Sequence, residues 1–236
     1  MSLRERIATP EGKRQYVREV FATIADRYDL ITAVLSYGQD RRWKRRLVES
    51  AQPVASLRAL DLATGTGDLA YMLHARGAHV VGLDLTERML VLARAKREAG
   101  GGPSFLAGDM LALPFASESF DTVTTGYGLR NVPDLSGAVD EIHRVLKRGG
   151  QVLSLDFNRP ANRAVRGLYL LYLSVVGGIL GWVLHRDPDT YRYIPASLST
   201  YPGAEGVAAL MTARGFSTVR HCRVLGGLMA IHQAWK

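Results

Sequence analysis

The 236-residue sequence contains a single cysteine, Cys222, which excludes an internal disulfide bond and favours a reducing compartment. The six histidines and this cysteine show no paired-ligand spacing, so no metal site is expected. The N-terminal segment is charged and lacks an apolar signal core, so nothing marks the chain for export and we expect a cytoplasmic protein. Hydrophobic residues make up 47% of the chain, and there are no repeats or low-complexity linkers. These properties predict one globular domain.

Acidic residues are outnumbered, since 30 Lys and Arg face 22 Asp and Glu and give a net charge of +8. This excess favours an anionic partner, which can be nucleic acid, acidic lipid or a cofactor phosphate. The densest basic run is Arg41-Arg-Trp-Lys-Arg-Arg46. We interpret it as the solvated face of a helix with Trp43 and Leu47 turned inward, and we expect no nucleic-acid partner. Binding of nucleic acid or lipid by this run stays open as an alternative.

A glycine-bearing corner lies between Leu57 and Asp68. The apolar run 59–63 predicts a strand buried on both faces, the chain then breaks at Gly65 and Gly67, and a helical pattern follows from Asp68. Glycines permit close approach to a ligand, and the helix start offers free N–H groups. The pattern up to Ala70 fits a dinucleotide fingerprint and hence an NAD-dependent oxidoreductase. It also fits S-adenosylmethionine (SAM), with Asp61 facing the methionine part, and the glycines alone do not decide.

Strands and helices alternate along the rest of the central region. An amphipathic helix is expected over 11–26, and a second apolar helix over 163–184 is followed by a loop through 188 and 191–195. Further strands are expected at 78–83, 104–107, 120–126 and 151–157, with helices at 86–98, 134–147 and 203–213, a turn at Gly149-Gly150, and a final hairpin of 216–224 and 228–235. This order predicts a Rossmann-like, doubly wound, mainly parallel α/β sheet. We divide the single domain into an N-terminal helical cap (1–53), a cofactor-binding core (57–157), a helical substrate lid (158–202) and a C-terminal helix and strand pair (203–236).

Two acids follow predicted strands of this core. Asp84 lies near the spacing at which a carboxylate accepts hydrogen bonds from a ribose cis-diol, although it can also cap the helix near Glu87. Asp109 follows the third strand and would accept from an adenine amino group, with Met110 offering its backbone and apolar side chain. The alternative for Asp109 is a cap on a short turn.

Several motifs together resemble one family, the ubiquinone/menaquinone biosynthesis C-methyltransferases, a branch of the class I SAM-dependent methyltransferases. The resemblance runs from about Val17 to Lys236. Its stretches are Phe21 to Asp29, Leu60 to Asp68, Leu113-Pro-Phe115, Gly128-Leu-Arg-Asn-Val132, Arg144 to Lys147, Tyr191 to Pro202 and Ala230-Ile-His232. The family has Glu where this chain has Asp156. The resemblance implies a seven-stranded sheet whose last strand is antiparallel.

The resemblance also implies an activity, SAM-dependent methylation of a ring carbon of a polyprenyl quinol, with the menaquinone route preferred over the ubiquinone route. It places SAM at Thr66, Asp84, Asp109, Met110 and Gly126, beside Asp61, Gly65 and Gly67 of the glycine corner. Arg130 would stabilise the phenolate of the quinol, Asn131 would orient its oxygen, and Tyr28 would help close the pocket. A salt bridge from Arg130 to Asp61 or Asp156 is the structural alternative. An RNA methyltransferase stays open as a further possibility, and the oligomeric state is not predicted.

The uncharged stretch Leu168–Leu184 is short for a bilayer crossing and rich in glycine, so we do not expect it to span a membrane. Arg163, Arg166 and His185-Arg186 flank it. One interpretation is a helix that covers the quinol pocket and places one face in the membrane interface, which would make the protein peripheral on the inner face of the cytoplasmic membrane. A core helix beneath the substrate lid is the other.

Overall fold

The computed structural model describes residues 3–51, 55–97, 101–160, 162–187 and 190–236. Its centre is a seven-stranded sheet in the order β3-β2-β1-β4-β5-β7-β6. The strands are β1 (Arg58–Leu62), β2 (His79–Asp84), β3 (Ser104–Ala107), β4 (Phe120–Gly126), β5 (Leu146–Phe157), β6 (Thr218–Val224) and β7 (Met229–Trp235). Strands β1 to β5 are parallel, and β7 runs antiparallel to both β5 and β6. The predicted fold class, including the antiparallel last strand, is confirmed.

Ten α-helices occur in the described part of the chain. They are α1 (Leu3–Arg6), α2 (Pro10–Ile24), α3 (Tyr28–Leu35), α4 (Asp40–Ser50), α5 (Asp68–His74), α6 (Glu87–Ala95), α7 (Leu135–Val145), α8 (Arg163–His185), α9 (Tyr193–Thr200) and α10 (Gly203–Ala213). The predicted features at Pro53, Glu98, Gly100 and Pro188 lie outside the described residues.

Side chains of the central strands alternate between two apolar layers, because successive residues of a strand point to opposite faces of the sheet. On one face Ala59 and Leu153 pack with α4, α5 and the first half of α8. On the other face Leu60 and Val152 pack with α7 and α10. A third cluster joins the ends of α2 and α3 to α6 and the second half of α8. The N-terminal helices and α8 therefore close over the carboxyl edge of the sheet.

Three predicted boundaries were wrong. Strand β5 begins at Leu146, so α7 stops at Val145 and the glycine pair 149–150 lies inside the strand rather than in a turn. Gly149 and Gly150 exchange backbone hydrogen bonds with Lys236, and these bonds draw them into the sheet. The stretch predicted as a loop around 191–195 is largely helical, since α9 begins at Tyr193. Pro195 lies in the first turn of α9, where a missing N–H costs no helical hydrogen bond.

The inward orientation of the basic run is confirmed, because Trp43 and Leu47 of α4 are buried. Lys44 is buried as well, which the pattern did not predict.

Candidate functional site

The carboxyl ends of β1 and β4 lie side by side at the point where the strand order reverses. In open α/β sheets this crevice is where ligands bind. The loops after β1, β2, β3, β4 and β5 all reach this edge. The sequence placed its candidate cofactor residues and Arg130 at strand ends and on these loops, and the structure brings them together at this edge.

The corner after β1 depends on left-handed backbone conformations. Ala63, Gly65 and Gly67 have positive φ angles of 49°, 56° and 87°. A Cβ on Gly67 would lie only 3.0 Å from the ring of Phe105, so both its conformation and its surroundings require glycine. Gly67 is also the N-cap of α5, which begins at Asp68 as predicted. The turn therefore directs the start of α5 toward the crevice.

Asp84, at the end of β2, is held by the backbone of that corner. Its Oδ2 accepts a hydrogen bond from the Gly65 N–H at 2.8 Å, and its Oδ1 accepts one from the Thr86 N–H at 2.8 Å. Burial raises the pKa of Asp84, while these N–H groups oppose the rise. The cap-like bond to Thr86 coexists with a position on the wall of a cavity. The carboxylate is therefore an acceptor held at the cavity wall, where a hydroxyl ligand would lie.

A first cavity, with about 690 Å³ of empty space including open solvent, extends from Asp84 along this edge. Asp109, Met110 and Gly126 also line it, and so does Asn131. Asp109 is already engaged, since its Oδ2 lies 2.9 Å from Nε of Arg14 and its Oδ1 accepts from the Leu111 N–H. The predicted turn cap is thus present at this residue, and its side chain is 15% exposed. The side chain of Met110 is buried and supplies an apolar surface.

Beyond the glycine corner, carboxylates and one lysine converge in a small recess. Asp61 accepts hydrogen bonds from the hydroxyls of Thr64 at 2.6 Å and Thr124 at 2.7 Å. Burial raises the pKa of Asp61 to about 6 against the effect of these bonds. Lys44 lies in the same recess, with its Nζ 2.7 Å from Asp40 and 2.9 Å from Asp68.

Lys44 remains charged because its partners outweigh its burial. Desolvation lowers its pKa, but the carboxylates of Asp40 and Asp68 more than offset this and hold the pKa above its ordinary value. Thr66 lies beside it and donates from its hydroxyl to Asp29 at 2.6 Å. These bonds attach α3 and α4 to the glycine corner. A cation with neighbouring carboxylates is complementary to an α-amino acid, which carries one carboxylate and one ammonium group.

A second cavity, with about 750 Å³ of empty space including open solvent, lies on the other side of Tyr28 and Tyr127, which line both cavities. Its walls are mainly apolar and aromatic and come from α2, α3, α8 and α9. Among its lining residues are Phe157, Tyr169 and Tyr193. Arg130 is the one charged side chain among those lining residues. The two cavities thus meet at a partition of aromatic rings.

Arg130 is buried at this partition in the short 3₁₀ helix Leu129–Asn131. Its Nε lies 3.2 Å from Oδ1 of Asp156, and its Nη1 donates to Asn131 and to the hydroxyl of Ser197. The expected structural alternative, a salt bridge to Asp156, is present. Within the described residues Nη2 makes no hydrogen bond, so the guanidinium keeps a donor for a ligand in the second cavity.

Asn131 lines the first cavity only, whereas Tyr28 lines both cavities. Asn131 donates to the Tyr127 carbonyl at 2.8 Å and lines the first cavity. Burial raises the pKa of Tyr28 to about 12, so its hydroxyl stays protonated near neutral pH and can donate but not act as a base.

Sequence reasoning missed Lys44, Asp68 and Ser197. Lys44 was hidden in a run of basic residues that otherwise face solvent, although its i, i+4 spacing from Asp40 was a usable signal. Ser197 could not be found, because α9 itself was not predicted.

The donors and acceptors of the first cavity and its recess fit SAM better than a dinucleotide. The recess offers charges of both signs for a zwitterion, Asp84 offers acceptors for a diol, and Met110 offers an apolar wall for an aromatic ring. A dinucleotide would place its pyrophosphate at the start of α5. That position is occupied by the carboxylate of Asp68, with Asp61 nearby, and both would repel a phosphate.

Comparison with known proteins agrees with SAM as the cofactor. Residues 10–236 match the model of the ubiE/COQ5 methyltransferase family. A demethylmenaquinone methyltransferase of Thermus thermophilus is 45% identical over 216 residues, which cover 90% of this chain and 98% of the relative. The ubiquinone/menaquinone biosynthesis C-methyltransferase UbiE of Dinoroseobacter shibae is 36% identical, over 96% of this chain and 92% of its own. A solved SAM-dependent methyltransferase of Thermotoga maritima shares the fold, with a TM-score of 0.66 at 20% identity over 92% of this chain and 99% of its own.

The sheet order and the site at the β1–β4 switch point define a class I methyltransferase that uses SAM as its cofactor. Within that class the chain belongs to the ubiE/COQ5 methyltransferase family. It is therefore a SAM-dependent methyltransferase of quinone biosynthesis. The oxidoreductase and RNA methyltransferase alternatives are not favoured.

Proposed function

We propose that this enzyme transfers a methyl group from SAM to a ring carbon of a polyprenyl quinol, and that its substrate is demethylmenaquinol. The observation that carries the proposal is the pair of cavities separated by Tyr28 and Tyr127. One cavity offers the polar groups that SAM needs, and the other is an apolar pocket with one arginine. The 45% identity to a demethylmenaquinone methyltransferase supports the naphthoquinol over the benzoquinol.

The cofactor assignment follows the cavity wall. Asp84 would accept from the ribose hydroxyls, and Asp109 from the adenine amino group beside Met110. Asp61 would face the α-ammonium, while Lys44 and the Thr66 backbone would face the carboxylate. Gly65, Gly67 and Gly126 would let the backbone approach the ligand closely.

SAM supplies an electrophilic methyl group when it is bound. The chain's own task is to make a ring carbon nucleophilic, because such a carbon reacts poorly until a neighbouring hydroxyl loses its proton. Arg130 would stabilise the resulting phenolate through Nη2, and the proton would pass to water. An arginine is always protonated at ordinary pH, so it acts as an electrostatic stabiliser and not as the base.

The geometry around Arg130 suits that task. Asp156 and Ser197 fix the guanidinium from behind, so little reorganisation is needed when negative charge develops on the quinol. Asn131 would hold the quinol oxygen, and Tyr28 and Tyr127 would exclude water from the path of the methyl group. Burial raises the pKa of Asp156 to about 6 in spite of Arg130, so the ion pair is intact at neutral pH.

Membrane contact through α8 is the second part of the proposal. By length and composition, α8 is the one helix among the described residues that could cross a membrane. However, Tyr169 and Leu173 pack into the domain, and Gly177 lets the backbone of Tyr191 approach closely. We therefore propose an interfacial position, with the buried face kept on the protein.

The outer face of α8 is apolar along its length. Its residues Leu168, Leu171, Val175, Ile179, Trp182 and Val183 are between 52% and 71% exposed. Arg186 lies over the Trp182 ring at the C-terminal end, where both would suit the headgroup region. The enzyme would then act from the cytoplasmic side, with the prenyl tail entering the second cavity from the bilayer.

Quinone profiling of cells that lack the protein tests the function. The proposal expects the desmethyl quinone to accumulate, and expects the wild-type chain but not Arg130→Ala to restore the methylated form. An unchanged quinone profile would overturn it. If the cells lose ubiquinone methylation instead, the methyltransferase activity stands and the substrate is a benzoquinol rather than demethylmenaquinol.

A further inference from the structure

A second surface feature lies beside the substrate cavity, on the side where α4 meets the turn between β6 and β7. It is an open groove with about 1060 Å³ of empty space, open solvent included. Arg42, Arg45 and Arg46 of α4 line it together with Arg223 of β6, and Glu49 is the one carboxylate among its lining residues. The groove therefore carries net positive charge.

These arginines are available to a ligand. The burial of Trp43 and Leu47 fixes α4 so that the side chains of Arg42, Arg45 and Arg46 face solvent. Within the described residues these three form no ion pair, whereas Arg223 contacts Glu205. Lys44 of the same helix behaves differently, because Asp40 and Asp68 neutralise it in the interior. The helix thus directs one cation to the cofactor recess and three to the groove.

Leu225 connects the groove to the substrate cavity, since it lines both. It has a positive φ of 51° and a side chain that is 36% exposed. This left-handed conformation belongs to the tight turn between β6 and β7, which places the Leu225 side chain at the tip of the hairpin. On the same rim Tyr37 is exposed and stacks on Tyr172 of α8 at 5.8 Å. Apolar tips thus lie between the basic groove and the apolar outer face of α8.

We propose that the groove binds the phosphates of anionic phospholipids at a bilayer surface. This binding would hold the opening of the substrate cavity against the membrane. The inference rests on the proposed function, because only an enzyme with a membrane-borne quinol substrate needs to hold its cavity against the bilayer. Arginines meet headgroup phosphates while Leu225, Tyr37 and α8 enter the interface. RNA fits less well, since the groove opens beside apolar surface, the Trp43 ring in its lining is buried, and the nearby Tyr37 ring is already stacked on Tyr172.

The test compares two triple variants of the same charge change. In one, Arg42, Arg45 and Arg46 are changed to Gln. In the matched control, Arg94→Gln, Arg148→Gln and Arg214→Gln remove three arginines that lie away from the groove. Each protein is sedimented with vesicles of phosphatidylglycerol and phosphatidylcholine, and with vesicles of phosphatidylcholine alone.

We expect the wild type and the control to prefer the anionic vesicles. A surface arginine contributes about fivefold to such binding, so the groove variant should bind them on the order of 100-fold more weakly. It should also show a raised KM for quinol embedded in anionic vesicles, with an unchanged kcat for a water-soluble quinol. Equal vesicle binding by the two triple variants would overturn the proposal. So would a groove-dependent affinity for a single-stranded RNA oligonucleotide without preference for anionic vesicles. If the wild type methylates no soluble quinol, it is the proposed function that fails, whatever the vesicles show.

Discussion

The guanidinium of Arg130 and the carboxylate of Asp156 form an ion pair in which both side chains are almost fully buried. The pair spans the loop after β4 and the end of β5, and the backbone N–H of Arg130 adds a further hydrogen bond to Asp156 at 3.1 Å. A buried pair of this kind is weak evidence for stabilisation, because desolvation offsets much of the attraction. Its value lies in holding a cation at the wall of an apolar cavity.

Changing Arg130 to Ala should remove most methyl transfer while leaving SAM binding intact. Loss of one preorganised electrostatic stabiliser typically costs ~10²–10³ in rate. The same change leaves Asp156 buried and unpaired, which can destabilise the fold by about 3–5 kcal/mol. The double variant Arg130→Ala/Asp156→Asn removes that charge and should recover stability in urea but not activity. Near-normal turnover of a soluble quinol by either variant would show that Arg130 has only a structural role.

Changing Asp84 to Ala should weaken SAM binding. The carboxylate would make charge-assisted hydrogen bonds to the ribose, each worth roughly 1.5–3 kcal/mol. Asp121→Ala is a suitable control, because Asp121 lies at the opposite end of β4 and pairs with Lys147. Calorimetric titration with SAM should show a loss for Asp84→Ala alone. Equal affinities in the two variants would remove Asp84 from the cofactor site.

The affinity for SAM should depend on pH through Asp61. Its pKa is raised to about 6 in the free protein, and a neighbouring ammonium group would favour the ionised form. The pKa in the complex would therefore be lower, so affinity should be full above pH 6 and should fall as the pH drops through 6, by up to about tenfold per unit. Asp61→Asn should lose this contribution to the pH dependence. A variant with the wild-type profile would contradict the assignment.

Replacing Lys44 by Met should destabilise the N-terminal helices. The change leaves the Asp40 carboxylate without its cation, whereas Asp68 keeps Lys96 as a partner, and we expect a cost of about 3 kcal/mol in the free energy of unfolding. The neighbouring Arg45→Met provides the control, because an exposed substitution is expected to stay within about 0.5 kcal/mol. Urea unfolding measures both. A similar stability for the two variants would mean that Lys44 does not anchor the helical cap.

The outer face of α8 should carry part of the affinity for membranes. The double variant Leu171→Ser/Ile179→Ser removes exposed apolar side chains and should lower vesicle flotation without loss of stability. Val91→Ser on α6 also removes an exposed apolar residue and should change nothing. If the folded wild type is recruited neither to neutral nor to anionic vesicles, membrane docking is excluded.

The central sheet could be predicted from the sequence because its strands are short apolar runs bounded by glycines and acids. The corner from Ala63 to Asp68 combined a strand, a glycine turn and a helix start, and it placed the site at the correct edge. The start of β5 could not be predicted from the sequence in the same way. The glycine pair 149–150 is typical of a turn, and only the pairing with Lys236 makes it part of a strand.

The division of α8 into a buried and an exposed face was equally inaccessible. Its residues are apolar all round, so periodicity gives no preferred side. The contacts that decide it involve residues distant in sequence, such as Tyr191 against Gly177 and Tyr37 against Tyr172. The burial of Lys44 has a similar origin, since Asp68 belongs to another element.

The most direct measurement of the central claim uses the purified enzyme, SAM labelled with ¹³C in its methyl group, and a water-soluble demethylnaphthoquinol kept reduced. The labelled methyl group should appear on the free ring carbon, and its rate of appearance should fall by ~10²–10³ in Arg130→Ala. Label on an oxygen atom of the quinol, or no transfer by a protein that binds SAM, would contradict the account.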